Sequence, residues 1–173
     1  LPEQIDPMRV ANFIDPNKDV DGISPVNYGR LMMGDPAAFV PCTPLGIQCL
    51  LERYQIPTEG RHVVIAGRSN IVGKPLASLL MQKGRGADAT VTVVHSHTSD
   101  IAYFSRQADI LVAAIGQARY FTADMIKEGA VVIDVGQNRI PDFMGFLGEL
   151  KKGARLAENP KGYIIGAIKR NLS

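Results

Sequence analysis

The sequence predicts an α/β protein built on a doubly wound parallel sheet, and three observations carry the prediction. Short unbroken apolar runs alternate with helical stretches from residue 62 to 136, the runs are rich in Val and Ile, and their ends fall on Gly or a small polar residue. A strand that is apolar at every position has no face for water, so helices cover it on both sides, as in parallel sheets. Right-handed crossovers between parallel strands then give the doubly wound arrangement.

Taken in order, residues 6–14 read as a short helix with Asp6 as cap and Pro7 in its first turn. Asp15 to Gly22 is a polar stretch of turn formers ending in Asp-Val-Asp-Gly, and residues 34–44 form a Pro-rich connection. From Thr43 as N-cap, followed by Pro44, a helical period runs through Leu45, Cys49, Leu50 and Leu51 towards Ile56. The first buried strand is His62-Val-Val-Ile-Ala, ending at Gly67, with a helix over Lys74 to Lys83 after it. The second, Thr90-Val-Thr-Val-Val, ends at His95-Ser96, and a weaker helix covers about Asp100 to Gln107. The third begins at Asp109 and ends at Gly116; a helix near Thr122–Glu128 leads to the fourth, Ala130-Val-Val-Ile-Asp-Val, which ends at Gly136.

Bulk properties narrow the function classes. A chain of 173 residues with 46% hydrophobic and 21% charged residues has the balance of a soluble globular protein with one full domain, or one plus part of a second. No apolar run approaches the roughly 20 residues of a bilayer span, and the first residues lack a signal-peptide pattern, so a cytoplasmic location is expected. A net charge of +2, without Lys and Arg clustered among aromatics, argues against nucleic acid. Cys42 and Cys49 are expected as reduced thiols.

The motif with most chemistry is Gly67-Arg68-Ser69-Asn70-Ile71-Val72-Gly73-Lys74-Pro75, between the first strand and its helix. Ligands of open α/β sheets bind at the carboxyl edge of the strands. There Gly67 permits a tight turn, Gly73 a close helix, and unpaired N–H groups at the helix start can take a pyrophosphate. The spacing is Gly-x-Ser-x-x-x-Gly rather than Gly-x-Gly-x-x-Gly, so an ordinary connection with two structural glycines is the alternative reading of the turn. Charge favours NADP over NAD. After the second strand come His95, Ser96, His97 and Thr98, with no acid before Asp100. An acid there would bond the ribose hydroxyls of NAD and repel a 2′-phosphate, whereas Ser96 and Thr98 can donate to it and Arg68 can pair with it. Taken singly, Arg68 also reads as a solvated loop charge and His95 as a satisfied strand-end histidine.

Five motifs in fixed order resemble the bifunctional methylenetetrahydrofolate dehydrogenase/methenyltetrahydrofolate cyclohydrolase family. They are residues 19–22, Pro41-Cys42-Thr43-Pro44, residues 67–75, Thr90-Val91-Thr92-Val93 with His95-Ser96, and Val131-Val132-Ile133-Asp134-Val135-Gly136; the likeness covers roughly residues 1–139. The resemblance implies a Rossmann-like NADP-binding domain with remnants of the adjoining folate domain, in an enzyme that is usually a homodimer. It implies oxidation of 5,10-methylenetetrahydrofolate to the methenyl form by hydride transfer to NADP, then hydrolysis to 10-formyltetrahydrofolate. It assigns Gly67, Arg68 and Ser69 to the phosphate-binding turn, Ser96 to the adenosine ribose and its phosphate, and Gln137 to a backbone contact with the cofactor; Thr98, from the charge argument, and Gly116, at the end of the third strand, are further cofactor candidates. Asp21 becomes the contact to the folate pterin, although without the resemblance an Asp-Gly turn residue is the simpler reading. Thr43 falls in the turn linking the domains near the nicotinamide. The division expected is 1–42 for linker and folate-domain edge, 43–150 for the NADP domain, and 151–173 for a divergent tail.

The sequence departs from the family at three places. The family's Tyr-x-x-x-Lys pair, whose Lys handles protons in both steps, does not occur between Leu1 and Ser173. The family's Gly-Ile-Asn is Gly136-Gln137-Asn138, and its Gly-rich segment over the nicotinamide is replaced by Leu147 to Ser173. The expectation is therefore a chain that supplies the NADP site, with weak binding and no turnover alone. The alternative is a non-catalytic dinucleotide-binding or interaction module.

Overall fold

The computed structural model describes residues 4–136 and the backbone of residues 164–166. The chain divides into two units, Leu1–Arg61 with Arg68–Val91, and His62–Gly67 with Thr92–Ser173.

The first unit holds four helices. Helix α1 (Pro7–Phe13) starts as expected, with the Asp6 carboxylate accepting from the Met8 amide and Pro7 in the first turn. Helix α2 (Pro25–Met33) is absent from the sequence reading. Its signals are plain in retrospect: the Ser24 hydroxyl accepts from Asn27 N–H, Pro25 opens the helix, and Gly34 closes it at φ +72°. Helix α3 (Cys42–Arg53) begins one residue before the expected Thr43 cap. Pro41 stands at the cap without a side-chain bond, its carbonyl accepting from Leu45 N–H at 3.1 Å, so Thr43 lies inside the first turn. Helix α4 (Gly73–Leu80) is short and almost wholly buried from Pro75 to Leu80. It packs against α2 and α3, where Leu31, Ile47, Leu51, Leu76 and Leu80 close the unit's core. Each such side chain contributes about 1.5–3 kcal/mol by leaving water. The Gln82 amide caps the Leu31 carbonyl, and the Ser78 hydroxyl donates to the Met32 sulfur at 3.7 Å.

The second unit is a sheet. Its strands are β1 (His62–Ala66), β2 (Thr90–Val94, shared at its start with the first unit), β3 (Ile110–Ala113), β4 (Val131–Asp134) and β5 (Ile164–Gly166). They lie in the order β2-β1-β3-β4-β5. The pairs β1–β3, β3–β4 and β4–β5 are parallel. Thr90 N–H donates to Arg61 O and Gly67 N–H to Val94 O, so β1 and β2 also run the same way. Val63 to Ala66 and Ile110 to Val112 are buried, as continuous apolar strands require. Helix α5 (Ile101–Ser105) adds Ile101 to a core with Val64, Ala66, Val94, Ala108 and Leu111.

Two expectations change. The helix near Thr122–Glu128 is a single 3-10 turn, Ala123–Met125. The Met125 and Asp124 carbonyls accept from the Ser105 hydroxyl and the Arg106 guanidinium, so side chains take acceptors that a longer helix would need. The segment 147–173, which stands where the family has its Gly-rich segment and is assigned no strand by the sequence, contributes β5 beside β4. Cys42 and Cys49 are free thiols, both exposed. No described helix is long and apolar enough to cross a membrane.

Candidate functional site

The strand order reverses at β1, which has β2 on one side and β3 on the other; the chain moves outward one way from β1 to β2 and the other way through β3 and β4. At such a switch point the carboxyl ends of the two central strands open a crevice for a ligand. The residues there are Gly67, after β1, and Ala114 to Gly116, after β3. Gly67 takes φ +136°, and a Cβ on it would stand 2.7 Å from the Ala114 oxygen and 3.1 Å from its carbonyl carbon. Glycine is thus required twice, by conformation and by space. Gly116, also assigned to the cofactor, is exposed, with open room where a Cβ would lie.

The turn after β2 lies in the same unit. Thr98 N–H donates to His95 O at 2.8 Å, His95 N–H to the Thr98 hydroxyl oxygen at 3.0 Å, and His97 N–H to His95 Nδ1 at 3.2 Å. This hydroxyl is therefore a turn brace that keeps its own proton to donate, while Ser96 is exposed at the turn's centre. His95 is held through one ring nitrogen as well as its backbone. The first acid beyond the strand, Asp100, caps α5 by accepting from Tyr103 N–H at 2.9 Å, so its carboxylate is committed to a helix end.

On the other side of Gly67 the chain enters the first unit. Ser69 is the organiser of this half of the turn: its hydroxyl accepts from Val72 N–H at 3.1 Å and Gly73 N–H at 3.5 Å, and its carbonyl from Lys74 N–H at 3.1 Å. The helix-start amides expected to be unpaired are therefore already engaged. The amides without an acceptor among the described residues belong to Arg68, Ser69, Asn70 and Ile71, one turn earlier. The Arg68 side chain is exposed, with no carboxylate partner among the described residues. Lys74 Nζ donates to Asn70 Oδ1 at 2.7 Å, tying the loop to the helix.

The third element, also in the first unit, is the Asp19–Gly22 turn. Asp21 is exposed, whereas Asp19 is buried and accepts from Ile23 N–H at 3.0 Å, Ser24 N–H at 2.8 Å and Asn27 Nδ2 at 3.0 Å. Burial pushes the Asp19 carboxyl up, but bonds from Asn27, Ser24 and the backbone outweigh it and hold it below the ordinary carboxylate range. Asp19 and Asn27 form a buried hydrogen-bonded pair beneath this turn that sequence reasoning missed; the Asp-x-Asp-Gly-x-Ser spacing was the signal for Asp19. Burial raises the Tyr28 hydroxyl on α2, offset in part by a bond with Ser78. Thr43 is half-buried in the first turn of α3. Gln137 lies outside the described residues. Among those residues no group of three or more His, Cys, Asp or Glu is placed to hold a metal ion.

A parallel sheet with a glycine at the carboxyl end of its switch-point strand defines a class, the dinucleotide-binding α/β domain. The chain belongs to the tetrahydrofolate dehydrogenase/cyclohydrolase family, whose NAD(P)-binding domain matches residues 41–158. It is 62% identical over 143 residues to the bifunctional protein FolD of Chlorobium phaeovibrioides, covering 82% of this chain and 48% of that protein. With FolD 1 of Myxococcus xanthus it shares 55% over 169 residues, 97% of this chain and 52% of the relative. The chain thus spans about half the length of the curated relatives it matches. Among solved structures it resembles the FolD methylenetetrahydrofolate dehydrogenase/cyclohydrolase of Campylobacter jejuni, at 39% identity and TM-score 0.80, over 96% of this chain and 56% of that one. It also resembles the Trypanosoma brucei enzyme solved with NADP and an inhibitor, at 36% identity and TM-score 0.79, over 97% and 57% of the two chains.

Proposed function

We propose that this chain supplies the NADP-binding part, with an edge of the folate site, of an enzyme that oxidises 5,10-methylenetetrahydrofolate and hydrolyses the product. In this reaction the methylene carbon would give up a hydride and become the methenyl carbon; water would then add to that carbon, its bond to N5 would break and one proton would be released, giving 10-formyltetrahydrofolate. The coenzyme, when bound, is the hydride acceptor.

This chain's residues bind and orient. Gly67, without a side chain, lets the pyrophosphate approach the backbone, and the amides from Arg68 to Ile71 have hydrogens to give it. Arg68 pairs with the 2′-phosphate and Ser96 donates to it, with Thr98, Gly116 and Gln137 as further cofactor contacts. Asp21, on its buried support, meets the pterin. The observation that carries the choice of NADP is the engagement of Asp100 at the start of α5, which leaves the turn after β2 without a carboxylate for the ribose hydroxyls. We further propose the division 1–42, 43–150 and 151–173, a homodimer and a cytoplasmic location for the whole protein.

Titration with NADP and with NAD tests the reading. NADP is expected to bind more tightly, and Arg68→Ala to lose about 10- to 100-fold in NADP affinity with little change for NAD, the worth of a charged hydrogen bond. Equal affinities in the unsubstituted protein would overturn the charge argument. NADPH formation from methylenetetrahydrofolate, assayed with and without an added folate-domain half, separates an enzyme part from a non-catalytic dinucleotide-binding module; silence in both arms favours the module.

A further inference from the structure

In the first unit, one buried amide side chain ties the turn that carries Asp21, assigned to the pterin, to the segment that leads into Pro41–Pro44, where Thr43 is assigned near the nicotinamide. Asn27 on α2 has no exposed surface. Its Nδ2 donates to the Pro16 carbonyl at 2.8 Å and to Asp19 Oδ2 at 3.0 Å; its Oδ1 accepts from Phe39 N–H at 3.4 Å. Pro16 and Asp19 belong to the segment before Asp21, and Phe39 leads directly into Pro41 to Pro44. The two segments also touch: a Cβ at Gly22, at φ +61°, would run into the Phe39 carbonyl oxygen and stand 3.0 Å from Pro41 Cδ. Asp19 in turn spends both oxygens on this assembly, closing the turn through Ile23 and Ser24. A buried amide with every group engaged is replaced at a cost, because any substitute leaves a donor or acceptor without a partner.

We propose that Asn27 is a positioning residue for the folate site: anchored on the Asp19 carboxylate, it clamps the Asp21 turn to the segment that enters the Pro41–Pro44 turn. The inference rests on the reading of Asp21 given under the proposed function. Asp19 is the one ionisable hydrogen-bond partner of the Asn27 side chain. Asp15, Lys18 and Asp21 on the same turn are exposed, Arg30 on α2 lies near Asp35 at 4.0 Å, and Tyr28 is the remaining titratable group of α2.

The test is Asn27→Asp, which keeps the acceptor for Phe39 and turns the donor to Asp19 into a second carboxylate. Two facing carboxylates do not both ionise freely, so acidification protonates one and restores a donor. In the unsubstituted protein assayed with the added folate-domain half, KM for methylenetetrahydrofolate is expected to change little between about pH 8 and about pH 6 through this pair. In Asn27→Asp, KM rises about tenfold at the higher pH and recovers at the lower, with kcat changed less and NADP affinity within about twofold. Amide exchange supplies the second measurement: Ile23, Ser24 and Phe39 exchange about tenfold faster than in the parent at the higher pH, with protection returning on acidification. A KM like the parent's at both pH values, or a loss that ignores pH and falls equally on NADP, overturns the clamp. If the unsubstituted protein forms no NADPH even with the added folate-domain half, the functional reading falls and amide exchange alone judges the clamp; unchanged exchange in Asn27→Asp refutes it. Should Asn27→Asp fail to fold, Asn27→Ser takes its place in the exchange measurement, with faster exchange at Phe39 expected and parental rates refuting.

Discussion

Gly67→Ala adds one methyl group where the structure has neither the backbone conformation nor the room for it. The φ of +136° lies where L residues rarely go, a strain of about 1–3 kcal/mol. The new Cβ stands 2.7 Å from the Ala114 oxygen and 3.1 Å from its carbonyl carbon, so backbone must yield, at a further cost of about 1–3 kcal/mol. The lower entropy of the unfolded chain returns about 0.4–1 kcal/mol. The expected net loss is about 2–5 kcal/mol, which lowers Tm by about 5–15 °C in a protein of this size. Urea unfolding measures it directly, as a reduced midpoint at unchanged slope. NADP affinity should fall as well, because Ala114 and the turn after β1 must separate. A variant within about 0.5 kcal/mol of the parent would refute the account of why glycine stands there.

Leu111→Ala opens a cavity in the core shared by Val64, Val94 and Ile101 and should cost about 2–5 kcal/mol in urea unfolding. Asp19 is held below its usual range when folded, so its contribution is fully present above the ordinary carboxylate pKa and is lost as pH falls through the lower folded value. Acid unfolding should therefore be less steep below about pH 4 in Asp19→Asn, itself less stable near neutrality; identical profiles would contradict this. Lys127→Met removes the 2.6 Å ion pair with Asp109, yet Lys127 is about half exposed and Asp109 keeps the His62 N–H at 3.0 Å. The loss in chemical denaturation should stay under about 1 kcal/mol.

The sheet was the legible part of the molecule. Four apolar runs placed β1 to β4. Burial on both faces holds for β1 and β3, whereas in β2 Val94 alone is buried and Thr90 and Val93 are exposed, so that strand is covered less than its sequence predicts. The helices were harder, because their ends depend on side-chain contests that composition does not display. Thr43 looked like a cap, but the chain turns at Pro41 and α3 begins beneath it. The segment after Thr122 looked helical, but Ser105 and Arg106 take its carbonyls from outside. Helix α2 hid behind a run of turn formers whose true role, seen at Asp19, Ser24 and Asn27, is to build a buried hydrogen-bond cluster. In the site, the glycine at 67 was readable from the strand that precedes it. The partition of the loop amides was not: Ser69 closes those at the helix start and leaves those at 68–71 open, a distinction made by one hydroxyl.

The register of the central strands bears on synthesis. Val63 to Ala66 find their partners at Ile110 to Ala113, and the His62 amide its carboxylate 47 residues on. During translation, a ribosome that has delivered β1 must still add those residues before the inner edge of that strand is closed. Meanwhile an apolar, proline-free and uncharged stretch presents bare amides and carbonyls, the kind of surface to which another nascent chain adheres. Holdase chaperones should engage this protein most strongly while its length falls between the release of Ala66 and the arrival of Ile110.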